Sequence, residues 1–152
     1  MKNLIKKLKT KKVRLGKNCK ILEPVNLYGC RIGNSVLVGP FVEIQKNSKI
    51  GNYTRVQSHS FICEKVFIGT KCFISHGVMF INDLAKSGRV NRNSKKFKKT
   101  VVGNNVVIGS NSTILPVKIA DNIVIGAGSV VTKDLKTKGI YAGNPAKLIR
   151  RL

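Results

Sequence analysis

Two histidines are the side chains of this sequence best suited to move a proton. His59 and His76 are 17 residues apart. Histidine changes its charge close to neutral pH, and it is the commonest general base in enzymes. Glu43 precedes the pair, and Asn82 and Asp83 follow it, so acidic and amide groups accompany the imidazoles. These residues indicate a candidate site, provided that the fold brings them together.

Other catalytic arrangements lack the residues that they require. No Ser-His-Asp order or nucleophile turn is evident, so covalent catalysis by serine is not indicated. Two histidines cannot form a three-histidine zinc site without an added carboxylate or thiolate. The four cysteines have no C-x-x-C spacing, and Cys19 and Cys72 occupy positions that valine or serine fills elsewhere. We expect reduced core cysteines and no metal.

The histidines lie in a stretch whose apolar residues recur every six positions. The nine consecutive positions are Ile32, Val38, Ile44, Ile50, Val56, Ile62, Ile68, Ile74 and Phe80. A helix would repeat near 3.6 residues and a strand near 2, and neither produces a period of six. The period is typical of a parallel β-helix, in which short strands join at tight turns around a narrow core. Since three hexads make one coil, His59 and His76 should lie in neighbouring coils near one corner.

The same period organises the chain, which we interpret as a single domain, 1–152. Its parts are a basic lead-in (1–14), the first coils (15–83), a basic loop (84–100), the last coils (101–135) and a tail (136–152). Asn144 is a good N-cap and Pro145 suits the first helical position, so residues 145–152 are predicted to form a short helix. The predicted fold class is all-β, a parallel β-helix of about six coils with an inserted loop and a short C-terminal helix.

Outward positions of the repeat predict how the surface is used. The residue before each inward apolar position points outward, because side chains alternate across a strand. In the later coils four such residues are large and apolar: Phe61, Phe67, Phe73 and Met79. An apolar surface stripe usually marks a partner interface, and a three-sided prism favours a trimer. The alternative is that loops or the C-terminal tail cover these apolar side chains.

The net charge of +23 is the strongest compositional signal. Such a charge attracts polyanions, and a non-catalytic basic solenoid that binds nucleic acid or an anionic surface is one interpretation. However, no nucleic-acid-binding motif accompanies the charge, and phosphorylated small molecules would be attracted equally. No apolar run approaches the roughly 20 residues of a membrane span, and the basic N-terminus does not resemble a signal peptide. We therefore expect a cytoplasmic protein with no membrane span and no nucleic-acid partner.

Several segments carry a resemblance to a known family. They are residues 25–33 with 39–45, residues 58–63, and His-Gly-Val-Met-Phe-Ile-Asn-Asp at 76–83. Over about residues 15–150 the chain resembles the hexapeptide-repeat acyltransferases, and these segments resemble the N-acetyltransferases of nucleotide-linked amino sugars. Residues 125–134 and 142–147 are similar to the acyl-CoA-binding end of the wider family. The resemblance implies a left-handed winding, which the period alone does not determine.

The resemblance also implies an activity. It implies an acetyl-CoA-dependent N-acetyltransferase that acts on a nucleotide-diphosphate-linked amino sugar, such as a dTDP-3-amino-3,6-dideoxyhexose. The sugar amine would attack the thioester directly in a ternary complex, and three sites would lie between the subunits of a homotrimer. A sugar O-acetyltransferase on the same fold is the alternative.

The resemblance assigns roles to individual residues. His76 would be the base or proton relay, and Asn82 would orient the amine or the thioester carbonyl. The acceptor would be held by Glu43, Gln45, His59 and Asp83, and the pantetheine of the coenzyme would lie near Gly109, Ala127 and Gly128. The coenzyme phosphates would meet Lys133, Lys147 or the basic loop. The segment 114–121 departs from the family because it lacks a glycine after Pro116, which shortens one turn.

Overall fold

The computed structural model describes residues 12–91 and 93–152. These residues form twenty short strands, β1 to β20, which stack into three sheets. Sheet A contains β1 (Arg14–Leu15), β4 (Arg31–Ile32), β7 (Lys49–Ile50), β10 (Val66–Ile68), β13 (Thr100–Val102) and β16 (Lys118–Ile119). Sheet B contains β2 (Lys20–Ile21), β5 (Leu37–Val38), β8 (Arg55–Val56), β11 (Phe73–Ile74), β14 (Val107–Ile108), β17 (Ile123–Ile125), β19 (Gly139–Ala142) and β20 (Lys147–Arg151). Sheet C contains β3 (Asn26–Leu27), β6 (Glu43–Ile44), β9 (Phe61–Ile62), β12 (Met79–Phe80), β15 (Thr113–Ile114) and β18 (Val130–Val131).

Successive strands visit sheets A, B and C in turn, so that six complete coils precede a partial seventh. The pairing between coils is parallel throughout these six coils. Every inward position of the nine-hexad run is buried, from Ile32 to Phe80. The predicted parallel β-helix of hexapeptide repeats is therefore confirmed.

The turns between sheets form three corners, which we call A–B, B–C and C–A after the sheets that they join. Most turns contain one residue with positive φ, which asparagine and glycine adopt most easily. At the A–B corner, side chains also join neighbouring coils, as where Asn52 Oδ1 accepts from the Asn34 N–H at 2.8 Å. The residue type at a corner is therefore determined by the backbone conformation, unless the side chain has another role.

Irregularities of the repeat collect at the C–A corner. The two hexads that are one residue short, 27–32 and 114–119, both turn there. The long insertion leaves the solenoid at the same corner, between β12 and β13, and contains one turn of 3-10 helix at Ser94–Lys96. The turn shortened after Pro116 therefore lies at a different corner from the two histidines.

The predicted C-terminal helix is wrong. Residues Lys147–Arg151 form β20, which pairs antiparallel with β19. The edge of β19 that faces away from β17 pairs with β20, so its backbone groups find partners where the chain doubles back along it. The turn closes through the Ala146 N–H, which donates to the Val130 carbonyl at 2.8 Å. Pairing at the end of the solenoid thus overrides the local capping signal.

The prediction that the outward apolar side chains of the later coils form a single surface stripe is also wrong. Phe61 and Met79 are paired in sheet C, but Phe67 lies in sheet A and Phe73 in sheet B. Successive hexads face three directions, so adjacent repeats cannot form one stripe. Most of the predicted lead-in lies outside the described residues. No helix in the part of the chain that the structure describes has the length and hydropathy of a membrane span.

Candidate functional site

Both histidines lie at the B–C corner, one coil apart, as the period predicts. Ser58 precedes His59 and stands directly beneath His76, with 2.8 Å between Ser58 Oγ and His76 Nδ1. The Gly77 N–H donates to the Ser58 carbonyl at 3.0 Å, which fixes the stacking of the two turns. Both imidazoles are exposed. The corner therefore presents one imidazole whose ring is oriented by a hydroxyl.

The same corner continues to the residues predicted to hold the coenzyme. The Asn111 N–H donates to the His76 carbonyl at 2.9 Å, and the Gly128 N–H donates to the Ser110 carbonyl at 2.8 Å. Ala127 and Gly128 are exposed, and a Cβ at Gly128 would contact nothing within 4 Å. The B–C corner thus forms one edge of the solenoid. Along this edge, open space lies beside backbone groups that are one to two coils from His76.

Gly109 is required by the fold itself. A Cβ there would collide with the backbone nitrogen of Ala127 in the next coil. The absence of a side chain at Gly109 lets the two coils approach each other. The family resemblance instead assigns this glycine to a coenzyme contact.

Glu43 and Gln45 form a hydrogen-bonded pair on the outer face of sheet C. Gln45 Nε2 donates to Glu43 Oε1 at 2.7 Å, and Asn26 Nδ2 donates to Glu43 Oε2 at 2.8 Å. Glu43 is aligned with Phe61 of the next coil, which in turn pairs with Met79. The face therefore carries a fixed carboxylate beneath two apolar side chains.

Asn82 and Asp83 lie at the C–A corner, across the width of sheet C from His76. Asn82 Nδ2 donates to the Glu64 carbonyl at 3.1 Å. Asp83 accepts hydrogen bonds from the Asn91 backbone, the Asn91 side chain and the Ala85 N–H, and these bonds lower the pKa of its carboxyl. The structure does not bring these two residues to the histidine corner of the same chain.

A small cleft of about 110 Å³ lies beside Asn82 in the inserted loop. Its lining includes three lysines, Lys86, Lys96 and Lys98. Lys65 anchors the loop, because its Nζ donates to the carbonyls of Ser94, Lys95 and Phe97 at 2.7–3.2 Å. The basic loop is therefore attached to the solenoid close to Asn82.

The two lysines predicted to meet coenzyme phosphates lie far apart around the solenoid. Lys133 follows β18 at the C–A corner, whereas Lys147 begins β20 beside the B–C corner. Both are exposed. Lys147 is thus on the edge that carries Gly128, and Lys133 is not.

Phe41 is a residue of this corner that sequence reasoning missed. Its ring lies 4.9 Å from the His59 ring, at an angle of 31° between the planes. Phe41 is 59% exposed and has φ +59°, a backbone conformation that is unfavourable for a bulky side chain. The sequence feature that could have identified Phe41 is a phenylalanine at a corner position that asparagine, serine or glycine occupies in several other turns. An exposed aromatic pair therefore lies below His76.

Three of the four cysteines, Cys30, Cys63 and Cys72, are buried. Burial raises the pKa of Cys30 to about 11 and that of Cys63 to about 12. Thiols with such a pKa remain protonated near neutral pH and are poor nucleophiles. Within residues 12–91 and 93–152, no three His, Cys, Asp or Glu side chains converge as a metal site requires.

Family comparisons match two parts of the solenoid. The family described as bacterial transferase hexapeptide (six repeats) matches residues 29–64. The family described as hexapeptide repeat of succinyl-transferase matches residues 99–133. The matched segments flank the inserted loop, and both fall on coils with the six-residue repeat.

Individual relatives share part of the chain or its fold. The bifunctional protein GlmU of Streptococcus uberis is 37% identical over 128 residues, which are 78% of this chain and 28% of GlmU. The acetyltransferase VCA0836 of Vibrio cholerae aligns with a TM-score of 0.66 at 21% identity, over 91% of this chain and 73% of the other. PerB of Caulobacter crescentus, solved with CoA and GDP-perosamine, aligns with a TM-score of 0.65 at 21% identity, over 89% and 57%. The chain thus spans less than a third of that curated relative, and the solved structures share its fold.

Proposed function

We propose that this chain, two parts of which match hexapeptide-repeat transferase families, is an acyl-CoA-dependent N-acetyltransferase of a nucleotide-linked amino sugar. The observation that carries the proposal is the B–C edge. His76, Ala127 and Gly128 lie along it, joined coil to coil by backbone hydrogen bonds. A proton acceptor therefore stands next to an open stretch of backbone that a pantetheine chain could follow. The complex of PerB with CoA and GDP-perosamine supports the same substrate class.

His76 would accept the proton that the attacking amine must lose. The amine lone pair forms the new N–C bond, the C–S bond breaks, and the thiolate leaves. His76 Nε2 can take the amine proton only if Nδ1 carries the other hydrogen and donates it to Ser58 Oγ, 2.8 Å away. Ser58 would thus set the tautomer, and orientation of the amine would supply a further part of the rate.

The acceptor would extend from His76 down the solenoid. One coil is about 4.8 Å, so His59 and Phe41 lie about 5 and 10 Å below His76 along the axis. A sugar ring beside His76 would reach His59, and a planar or apolar part of the acceptor would meet Phe41. The carboxylate of Glu43, held by Gln45, would accept sugar hydroxyl hydrogens.

Asn82 would act on the site of a neighbouring subunit. In one chain it stands across sheet C from His76, so both could serve a single site only where two chains meet. A homotrimer would create three such sites, with the lysines of the basic loop near the diphosphate. Asp83, whose oxygens are occupied by the loop, would keep the loop in place beside Asn82.

Thiol release from acetyl-CoA tests the proposal. The purified chain is incubated with a panel of nucleotide-linked amino sugars, and acetylated products are identified by mass. Matched sugars with a hydroxyl in place of the amine are the control. Release with at least one amine and none with its hydroxyl analogue is expected. Release only with hydroxyl sugars would identify an O-acetyltransferase, and no release with any sugar would contradict the proposal.

Phe41→Asn is expected to raise the KM for the acceptor about tenfold with little change in kcat. Loss of an aromatic stacking partner costs about 1–3 kcal/mol. The fold should tolerate the change, because asparagine adopts positive φ more easily than phenylalanine. Steady-state kinetics with saturating acetyl-CoA provide the measurement.

Tyr53→Asn is the matched control for this change. Tyr53 has φ +59° and is 60% exposed, but it lies at the A–B corner. Its replacement should increase the free energy of unfolding by about 1 kcal/mol and leave the KM unchanged. Equal KM values for the Phe41 variant and the wild type would exclude Phe41 from the acceptor site.

A further inference from the structure

Sheet A carries a row of three adjacent cations, and the corresponding positions of sheets B and C in the described strands carry no such row. Arg14 pairs in register with Arg31, and Arg31 with Lys49, so three positive side chains stand about 4.8 Å apart in adjacent coils. All three are exposed. The corresponding rows are Lys20, Leu37 and Arg55 on sheet B, and Asn26, Glu43 and Phe61 on sheet C.

This row does not stabilise the fold. Like charges directly opposite each other on neighbouring strands are destabilising. In the part of the chain that the structure describes, the one salt bridge joins Lys46 Nζ to Glu64 Oε2 at 3.9 Å, and it does not include Arg14, Arg31 or Lys49. A row that costs folding free energy and has no internal counter-charge is suited to an anionic ligand.

The row borders a cleft of about 610 Å³. Lys12 and Lys46 add two positive charges to its lining. Phe67 also lines the cleft, pairs in register with Lys49, and is 37% exposed. The volume falls within the roughly 300–1,000 Å³ typical of small-molecule sites. The cleft thus combines a line of cations with an aromatic surface at one end.

We propose that this cleft binds a nucleoside polyphosphate, with its phosphates on Arg14, Arg31 and Lys49 and its base against Phe67. Guanidinium groups bind phosphate oxygens through paired charge-assisted hydrogen bonds, and aromatic side chains stack on bases. None of the residues proposed for acetyl transfer lies on this face, so binding here can be tested apart from turnover; the choice between an acceptor nucleotide and coenzyme A rests on the proposed function. The ligand could be the nucleotide of an acceptor sugar or the adenine nucleotide of coenzyme A, which share this chemistry.

Calorimetric titration tests the site without any turnover. The probes are adenosine, uridine and thymidine diphosphates, inorganic pyrophosphate, coenzyme A and a single-stranded oligonucleotide. At least one nucleoside diphosphate should bind, and Arg31→Gln should weaken it about tenfold or more, since a hydrogen bond to a charged group is lost. Phe67→Leu should weaken the nucleoside diphosphate but leave pyrophosphate binding unchanged. Competition by coenzyme A would identify the coenzyme as the source of the nucleotide, and no competition would identify the acceptor.

Arg55→Gln is the matched control. Arg55 is exposed on sheet B and lies between Leu37 and Phe73, so its replacement removes one charge without touching the row. It should leave nucleotide affinity unchanged, and thermal unfolding should show that both arginine variants fold. Equal losses in the two variants, or none in Arg31→Gln, would overturn the proposal. Tighter binding of the oligonucleotide with a steep salt dependence would overturn it in favour of a nucleic-acid surface.

Discussion

Replacing His76 with alanine is expected to lower kcat by about 10²–10⁴-fold, the usual contribution of a positioned general base. The affinity for coenzyme A should be almost unchanged, because the backbone beside Ala127 and Gly128 lies two coils away. The amine proton would then pass only to water, and the attack would lose its directed acceptor. Single-turnover thiol release, with coenzyme binding measured by calorimetry, separates the two effects.

His59→Asn is the control for the catalytic assignment. His59 lies at the same corner, is exposed and has φ +63°, which asparagine adopts readily. As a group that would contact the acceptor, it should affect KM far more than kcat. The opposite pattern, with wild-type kcat in the His76 variant and a large loss in the His59 variant, would show that the two roles are exchanged. Wild-type kinetics in both variants would show that neither histidine of this corner takes part in the mechanism.

Replacing Phe80 with alanine is expected to reduce the free energy of unfolding by about 3–5 kcal/mol. Phe80 is 1% exposed and is the largest of the fully buried side chains of the core. It lies in β12, the last strand before the inserted loop, and pairs in register with the buried Ile114 of the next coil. Urea unfolding followed by far-UV circular dichroism gives the difference, since the transition midpoint falls while the slope is retained.

Met79→Ala tests the same strand from its other face. Met79 precedes Phe80, is 41% exposed and points outward from sheet C, so its loss should cost less than about 1 kcal/mol. The contrast between neighbouring residues checks the inward and outward register directly. A larger cost at Met79 than at Phe80 would mean that the register is shifted by one residue.

The candidate site was predictable only where it depends on the period. A separation of 17 residues placed His59 and His76 in adjacent coils, and their shared corner follows from the coil length. The partners of the predicted site residues depend on contacts across coils. Asn82 donates to the Glu64 carbonyl of the preceding coil, and Gly109 approaches the backbone of Ala127 in the next coil, and both contacts join residues distant in sequence.

The amino-acid sequence by itself determined the β-helix and its inward residues, because each hexad must bury one apolar side chain in a core too narrow for any other choice. Only the tertiary structure decided which of three faces each hexad presents, and this separated Phe67 and Phe73 from Phe61 and Met79. It also decided that the tail is a strand, since the open edge of β19 offered backbone partners that a helix could not use. Local periodicity specifies the inward and outward sides of a strand, whereas the neighbours of each side chain depend on how the coils stack.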